Sequence, residues 1–311
     1  MGHPPIRRVA IIGTGVIGAS WAAMFLAKGL DVVATDVAPN AEATLREFVD
    51  RAWPALQALG LAPEASRARL SFEPDLEAAV RGADLVQENG PERIDFKREL
   101  YGKLDRLLPP STLIASSSSG LTMSEIQKGC DSHPERCFIG HPFNPPHLIP
   151  LVELVGGALT SEETLQRAAA FYDGLGKRTV RLNKEVPGHV ANRLAAALLR
   201  EVMYLVDEDV ISVADVDAAI CFGPGLRWGV MGPMLLYHLG GGAGGIDHWF
   251  DQFTGPITAW WEVLGDPQIT PELRAKVTAG VMAEVGGRSV ESLAEQRDRE
   301  LMGLLQVRAA G

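Results

Sequence analysis

A histidine and a glutamate carry the first chemistry in this sequence. His141 and Glu153 lie twelve residues apart in Gly140-His141-Pro142-Phe143-Asn144-Pro145-Pro146…Leu151-Val152-Glu153-Leu154-Val155. An imidazole titrates near neutral pH and suits the removal of a proton from a secondary alcohol. A carboxylate at one ring nitrogen would keep that nitrogen as N–H and stabilise the imidazolium, leaving the other nitrogen free to act as base. Pro142, Pro145, Pro146 and Pro150 stiffen the connection and are expected to bring two strands side by side. The chain also carries Gly13-Thr14-Gly15-Val16-Ile17-Gly18 directly after Ile11-Ile12, a dinucleotide-binding fingerprint. A proton acceptor and a site for a hydride acceptor in one chain point to oxidation of an alcohol.

The fingerprint sits between a strand and a helix, the context it requires. Gly13 permits the tight turn, Gly15 allows backbone to approach a pyrophosphate, and Gly18 allows close helix–strand packing. The helix N-terminus that follows offers free N–H groups to the phosphates. The next strand ends in Thr35-Asp36, eighteen residues beyond Gly18. A carboxylate there accepts ribose hydroxyls and repels a 2′-phosphate, and no arginine adjoins it, so NAD is expected over NADP. A third element is the run Ser116-Ser117-Ser118-Ser119 at a strand end, where a hydroxyl can meet the substrate oxygen or cap a following helix. Asn192, on a long helix after Pro187-Gly188, is a candidate for the same oxygen, or a solvated helix asparagine.

These residues need a scaffold. Strand candidates are Val9–Ile12, Asp31–Thr35, Leu85–Glu88, Thr112–Ser116, Cys137–His141, Leu151–Val155 and Thr179–Leu182. Helical stretches are Val16–Gly29, Ala41–Leu59, Ile94–Leu108, Met123–Lys128 and Ser161–Leu175. The alternation predicts an α/β fold, a Rossmann-type doubly wound parallel sheet with helices on both faces. After Pro187 the strand signal ends. Val190–Val210 reads as one long helix, Ser212 to Asp215 as an acidic capping box opening another, and the remainder as helical apart from glycine-rich turns at 223–225 and 240–245. The expected domains are therefore 1–187, binding NAD, and 188–311, an all-helical domain for substrate and dimerisation.

A chain of 311 residues, 46% hydrophobic, can fill two cores. Its three cysteines (Cys130, Cys137, Cys221) show no metal-ligand spacing and suit a reducing cytoplasm, and no metal is expected. The formal charge of −10 argues against nucleic acid or an anionic membrane as partner. Arg7-Arg8 before an apolar run has the outline of a twin-arginine signal, but Gly13, Gly15 and Gly18 break the run and the fingerprint explains it.

Taken in order, these motifs resemble the L-3-hydroxyacyl-CoA dehydrogenase superfamily over nearly the whole chain. The carriers are the fingerprint, the serine run, His-Pro-Phe-Asn-Pro at 141–145, Leu-Val-Glu at 151–153 and Pro-Gly-x-x-x-Asn-Arg at 187–193. The resemblance implies a Rossmann domain and a helical dimerisation domain, hence a homodimer. It implies His141 as base, Glu153 as its partner, Ser119 and Asn192 as oxygen-binding groups, and Glu92 and Lys97 near the nicotinamide. Within the superfamily the chain is most similar to the branch holding lambda-crystallin (L-gulonate 3-dehydrogenase) and L-carnitine 3-dehydrogenase. That similarity rests on Asn144-Pro145-Pro146, the unbroken serines, Gly223-Pro224-Gly225-Leu226-Arg227-Trp228 with Met231-Gly232-Pro233, and His238-Leu239-Gly240-Gly241-Gly242. Two departures stand out: His189, where the family usually has phenylalanine, and Ser117, where acyl-CoA enzymes usually carry asparagine.

The substrate is narrowed by charge. Acyl-CoA enzymes of the family present a lysine-rich helical pair after the second strand, whereas Asp36 to Phe96 contains no lysine here. A small free 3-hydroxy acid fits better, with Arg227 as candidate partner for its carboxylate. A quaternary ammonium would want aromatic faces, for which Trp228, Phe143, Tyr237 and Trp260-Trp261-Glu262 are candidates, though such tryptophans also serve as core or dimer packing. L-gulonate, a 3-hydroxyacyl-CoA such as 3-hydroxybutyryl-CoA, and a crystallin-like structural role remain as alternatives.

Overall fold

A computed structural model describes residues 5–309. The chain divides into two compact units that meet in sequence between Arg193 and Leu194.

In the first unit the strands are β1 (Arg8–Ile12), β2 (Asp31–Thr35), β3 (Leu70–Phe72), β4 (Leu85–Glu88), β5 (Leu113–Ser116), β6 (Cys137–Pro142), β7 (Leu151–Gly156) and β8 (Arg178–Arg181). The helices are α1 (Val16–Ala27), α2 (Ala41–Leu59), α3 (Leu76–Val80), α4 (Ile94–Leu107), α5 (Met123–Ile126) and α6 (Glu162–Gly174), and α7 (Ala191–Asp207) starts at its end. The strands form one sheet in the order β3-β2-β1-β4-β5-β6-β7-β8. Alternate side chains of a strand point to opposite faces, and β1 shows it: Val9 and Ile11 pack with Trp21, Phe25, Leu45 and Trp53 of α1 and α2. Ala10 and Ile12 join Leu100, Tyr101 and Leu104 of α4 and Met123 and Ile126 of α5 on the other face. The doubly wound sheet is thus as expected. β3 and α3 are additions: Leu70-Ser71-Phe72 is too short to register as a strand by periodicity and is recruited by pairing with β2.

One expectation needs correction. The sheet is not wholly parallel, because β7 runs antiparallel to β6. The cause is the connection: residues 143–150 are too few for a parallel crossover, which needs a dozen or more. Antiparallel pairing makes His141 and Glu153 direct cross-strand partners. Lys177 holds this connection from below, its ammonium donating to the carbonyls of Pro146 and Ile149. Burial pushes that ammonium down to about 7, with the neighbouring charge of Lys28 acting in the same direction.

Because β1, β2, β4, β5 and β6 are parallel, their carboxyl ends share one edge of the sheet. Gly13, Asp36, Glu88, the serine run and His141 therefore collect there. The chain leaves β1 toward β2 on one side and returns to β4 on the other, the switch point at which open α/β sheets bind ligands.

The second unit holds the rest of α7 and α8 (Val213–Phe222), α9 (Pro224–Trp228), α10 (Pro233–Gly240), α11 (Gly245–Trp261), α12 (Pro271–Val285) and α13 (Val290–Ala309). Ser212 caps α8 by accepting from the Asp215 N–H at 3.1 Å, as the acidic capping box predicts. The stretch at 223–225, expected as a turn, instead opens α9, with Pro224 at a position where its missing N–H costs nothing. Among the described residues no helix is long and apolar enough to cross a membrane.

Trp21 anchors the first unit. Its ring stacks on Phe25 at 5.2 Å between centroids, lies 5.6 Å from Tyr172, and sits under the Lys177 ammonium at 5.2 Å. Its indole N–H donates to Ser117 Oγ at 3.3 Å. Replacing Trp21 with alanine is expected to cost about 3–5 kcal/mol, the range for emptying a buried aromatic site. Trp21→Phe should lose clearly less. Urea unfolding of both variants checks this, and a loss under about 1 kcal/mol for the alanine variant would show that the core closes over the gap.

Candidate active site

The site begins with a buried carboxylate. Glu153 Oε2 accepts from His141 Nδ1–H at 2.8 Å. Its other oxygen, Oε1, accepts from the backbone N–H groups of Val190 and Ala191, each at 2.9 Å, where α7 starts. Those N–H groups have no partner within the helix, so a carboxylate is a natural acceptor for them. Burial alone would raise the Glu153 pKa, but the bonds from His141, Ala191 and Val190 outweigh it and hold the carboxyl below its ordinary value.

Since a carboxylate only accepts, Nδ1 of His141 carries the hydrogen and Nε2 presents its lone pair. Ser119 Oγ lies 3.0 Å from that nitrogen and donates to it. Both His141 and Glu153 are almost fully buried, whereas Ser119 is exposed. An alcohol arriving from solvent thus meets a hydroxyl and an imidazole lone pair together. Asn192 lies in the first turn of α7, directly after the two residues that hold Glu153. Phe143 follows β6, half-buried. Arg227 and Trp228 occupy α9 in the second unit, both exposed at the surface. Tyr237, another aromatic candidate, stacks on Trp249 at 4.5 Å.

The other serines do different work. Ser117 Oγ accepts from Gln87 Nε2 at 2.9 Å and from Trp21, and donates to Asn89 Oδ1 at 2.7 Å. Asn89 in turn donates through Nδ2 to the carbonyls of Gln87 and Ile12, so the serine run and the glycine loop share one polar network. Ser118 donates to Glu92 Oε1 at 2.6 Å, and the N–H groups of Gly120 and Leu121 donate to the same oxygen. Glu92 is held below its ordinary pKa, its burial being outweighed by these bonds and by the Lys97 charge. Lys97 itself is buried and engaged: its ammonium donates to both oxygens of Glu88 at 2.7 and 2.9 Å, with Glu92 at 3.8 Å.

Sequence reasoning passed over Glu88, which also accepts from Ser116 Oγ and the Gly90 N–H, each at 2.6 Å. The available signal was a glutamate closing a buried strand, with a lysine nine residues on at the start of a helix. The sequence marks His189 only as a departure from the family's usual phenylalanine. It is buried, its ring lies 4.8 Å from that of His141, and it bonds the Ser118 carbonyl oxygen. Among the described residues no group of three histidine, cysteine or carboxylate side chains could hold a metal.

The nucleotide end is a cradle. Gly13 has φ +84° and a Cβ there would stand 2.8 Å from the Asn89 carbonyl. At Gly18 a Cβ would strike the Gly13 oxygen at 1.9 Å, so loop and helix touch through glycine alone. A Cβ at Gly15 would meet nothing within 4 Å, and α1 has no side-chain cap there, so Gly15, Val16 and Ile17 turn bare backbone toward open space. Asp36 accepts from Thr14 N–H at 2.6 Å, Thr14 Oγ at 3.0 Å and Ala38 N–H at 2.9 Å. Its partial burial acts to raise its pKa, but these bonds prevail and keep it ionised. An uncapped helix start and a fixed carboxylate at the next strand end fit NAD.

A family model described as the NAD binding domain of 3-hydroxyacyl-CoA dehydrogenase matches residues 8–186, and one described as the C-terminal domain matches 188–283. The chain is 48% identical over 301 residues to an L-carnitine dehydrogenase of Streptomyces griseus, covering 97% of this chain and 90% of the relative. It is 45% identical over 307 residues to an L-carnitine dehydrogenase of Bacillus cereus, covering 99% and 94%. A solved structure of 5-formyl-3-hydroxy-2-methylpyridine 4-carboxylic acid 5-dehydrogenase, an NAD+-dependent dismutase, superposes with a TM-score of 0.84 at 32% identity, covering 98% of this chain and 99% of that one.

Two outcomes test the electrostatics. Lys97→Met leaves the Glu88 carboxylate buried and unpaired and should cost about 3–5 kcal/mol in urea unfolding, whereas adding Glu88→Gln should recover much of it. For Glu153, a folded pKa below the unfolded value of 4.5 contributes stability above pH 4.5 that disappears as pH falls through the folded value. Glu153→Gln should therefore flatten the acid limb of the stability curve below pH 4.5; an unchanged limb would place the acid sensitivity in other carboxylates.

Proposed function

The chain belongs to the 3-hydroxyacyl-CoA dehydrogenase family, and from that premise we propose that its substrate is L-carnitine, oxidised at the C3 hydroxyl to the 3-keto acid. The chain is an NAD-dependent oxidoreductase. The observation that carries the assignment of roles is the relay Ser119 Oγ–His141 Nε2/Nδ1–Glu153.

NAD, when bound, supplies the hydride acceptor. His141 Nε2 takes the hydroxyl proton, and Glu153 stabilises the imidazolium through Nδ1–H. Ser119 turns its hydroxyl from the imidazole to the substrate oxygen and stays bonded to it as it becomes a carbonyl. Asn192 adds a donor to that oxygen. On the nucleotide side Gly13, Gly15 and Gly18 admit the pyrophosphate to the start of α1, with Val16 and Ile17 lending N–H groups, and Asp36 takes the ribose hydroxyls. Glu92 and Lys97 shape the nicotinamide end.

Support for L-carnitine comes from the named activity of relatives 45–48% identical over nearly the full chain. The lysine-free span from Asp36 to Phe96 supports a substrate without CoA phosphates. Phe143, directly after β6, is assigned to the trimethylammonium by cation–π attraction. The helices of the second unit carry strongly exposed large apolar side chains, Phe222 at 83%, Trp260 at 62% and Trp261 at 66% among them. Exposure on that scale supports burial against a second copy, so the working form is assigned as a homodimer. The free thiols and the charge of −10 support a cytoplasmic enzyme with neither nucleic acid nor membrane as partner.

The test is an initial-rate panel: L-carnitine, L-gulonate, L-3-hydroxybutyrate and L-3-hydroxybutyryl-CoA, each with NAD and NADP. Turnover is expected with L-carnitine and NAD, and preference for the CoA ester would overturn the charge argument. His141→Ala should abolish turnover while NADH affinity holds; turnover near the parent rate would remove His141 as the base.

A further inference from the structure

His189 touches two members of the site at once. Its Nε2 lies 2.9 Å from the carbonyl oxygen of Ser118, which can only accept, so Nε2 carries the hydrogen and donates it. Its ring packs against that of His141 at 4.8 Å, tilted by 53°. Its backbone takes φ +50°, directly after Gly188 at φ +77°. Two successive left-handed residues turn the chain so that the very next N–H groups, of Val190 and Ala191, reach Glu153. A residue with a Cβ rarely adopts this conformation, and it persists only where surrounding contacts fix it.

We propose that His189 is a positioning residue: it grips the Ser118 carbonyl, fixes the Ser118–Ser119 peptide, and thereby sets the Ser119 hydroxyl on Nε2 of His141. The inference rests on the reading of His141 as base. Ser118 and Ser119 share a peptide plane, so the bond at one oxygen fixes the start of the Ser119 side chain. Ser119 is itself exposed and lies beyond the end of β5, with no ladder bond to hold it. Glu92 fixes the same loop from the other side, through Ser118 Oγ and the Gly120 N–H.

His189 also stays neutral while its neighbour changes charge. Its Nδ1 is buried with no hydrogen-bond partner among the described residues, so a proton added there would find no acceptor among them. Burial lowers its pKa and His141 lowers it further, against the Ser118 carbonyl and the carboxylates of Glu153 and Glu92, which act to raise it. These are the polar and charged groups that face it, from β5, β6, β7 and the loop before α4. A neutral ring adds no repulsion when His141 receives the substrate proton. A phenylalanine of similar volume would preserve the packing but leave the Ser118 oxygen without its donor.

The experiment compares His189→Phe with His189→Gln, whose amide N–H reaches where Nε2–H does, under L-carnitine and NAD, with His141→Ala in parallel. His189→Phe should lower kcat roughly 10- to 100-fold, the usual effect of removing a group that orients a reacting one. The KM for NAD and NADH binding should be unchanged, and the solvent isotope effect on kcat should rise as proton transfer becomes limiting. His189→Gln should restore kcat to within a few-fold of the parent. A His189→Phe variant within about twofold of the parent, beside an inactive His141→Ala, overturns this inference alone. Equal losses in both His189 variants, with lowered melting temperatures, assign the residue to packing and overturn it too. An active His141→Ala overturns the reading of the base and this inference with it.

Discussion

The carboxylate of Glu153 is shared between two tasks, and the geometry of the first unit follows from that sharing. One oxygen fixes which nitrogen of His141 carries hydrogen, and the other closes the start of α7 through two backbone N–H groups. A buried carboxylate with empty lone pairs would be protonated instead of serving as an anion. Three donors converging on two oxygens keep it ionised. The same arrangement ties the beginning of α7, and with it Asn192, to the strand pair that carries the imidazole. A change in how α7 starts is therefore a change at His141.

A second network couples the serine run to the nucleotide cradle. Ser117 links Trp21 of α1, Gln87 of β4 and Asn89, and Asn89 reaches back to the carbonyl of Ile12 just before the glycine loop. Tyr172 of α6 completes the chain by donating to Gln87 Oε1. Buried polar groups are expensive unless each finds a partner, so the network orders the loop, the serine run and two helices together. Ser117 accepts the indole N–H of Trp21 at 3.3 Å. Trp21 thus serves the core with its ring and the site with its nitrogen.

Much of this was legible from residue types alone. Alternation of apolar strands and periodic helices specifies the doubly wound sheet, and glycines at 13, 15 and 18 between a strand and a helix specify the cradle. The proline-stiffened connection from His141 to Glu153 foretells that the two strands adjoin. Their antiparallel sense is a matter of length, since eight residues permit a hairpin-like return and not a crossover. Glu88 was not legible and His189 was visible only as a departure from the family's usual phenylalanine, because the role of each depends on burial. It emerges when Lys97 closes over one and the Ser118 carbonyl meets the other. The short β3 exists only because β2 offers it an edge.

The distribution of charge gives the acid surplus of the chain a chemical meaning. Transfer of the alcohol proton to the proposed base creates a cation on His141 at a buried position, where a single unpaired charge is costly. The structure surrounds that position with groups that favour the cation. Glu153 is in direct contact with the imidazole, Glu92 bonds Ser118 next to the serine that meets it, and both are held below their ordinary pKa values and so remain anionic. Lys97, 3.8 Å from Glu92, gives its two short contacts to Glu88. His189, whose ring lies 4.8 Å from the imidazole, lacks an acceptor for a second proton among the described residues. A site so arranged lowers the cost of accepting the alcohol proton through fixed charges already in place before substrate arrives, which is the form of electrostatic assistance that requires no reorganisation during reaction.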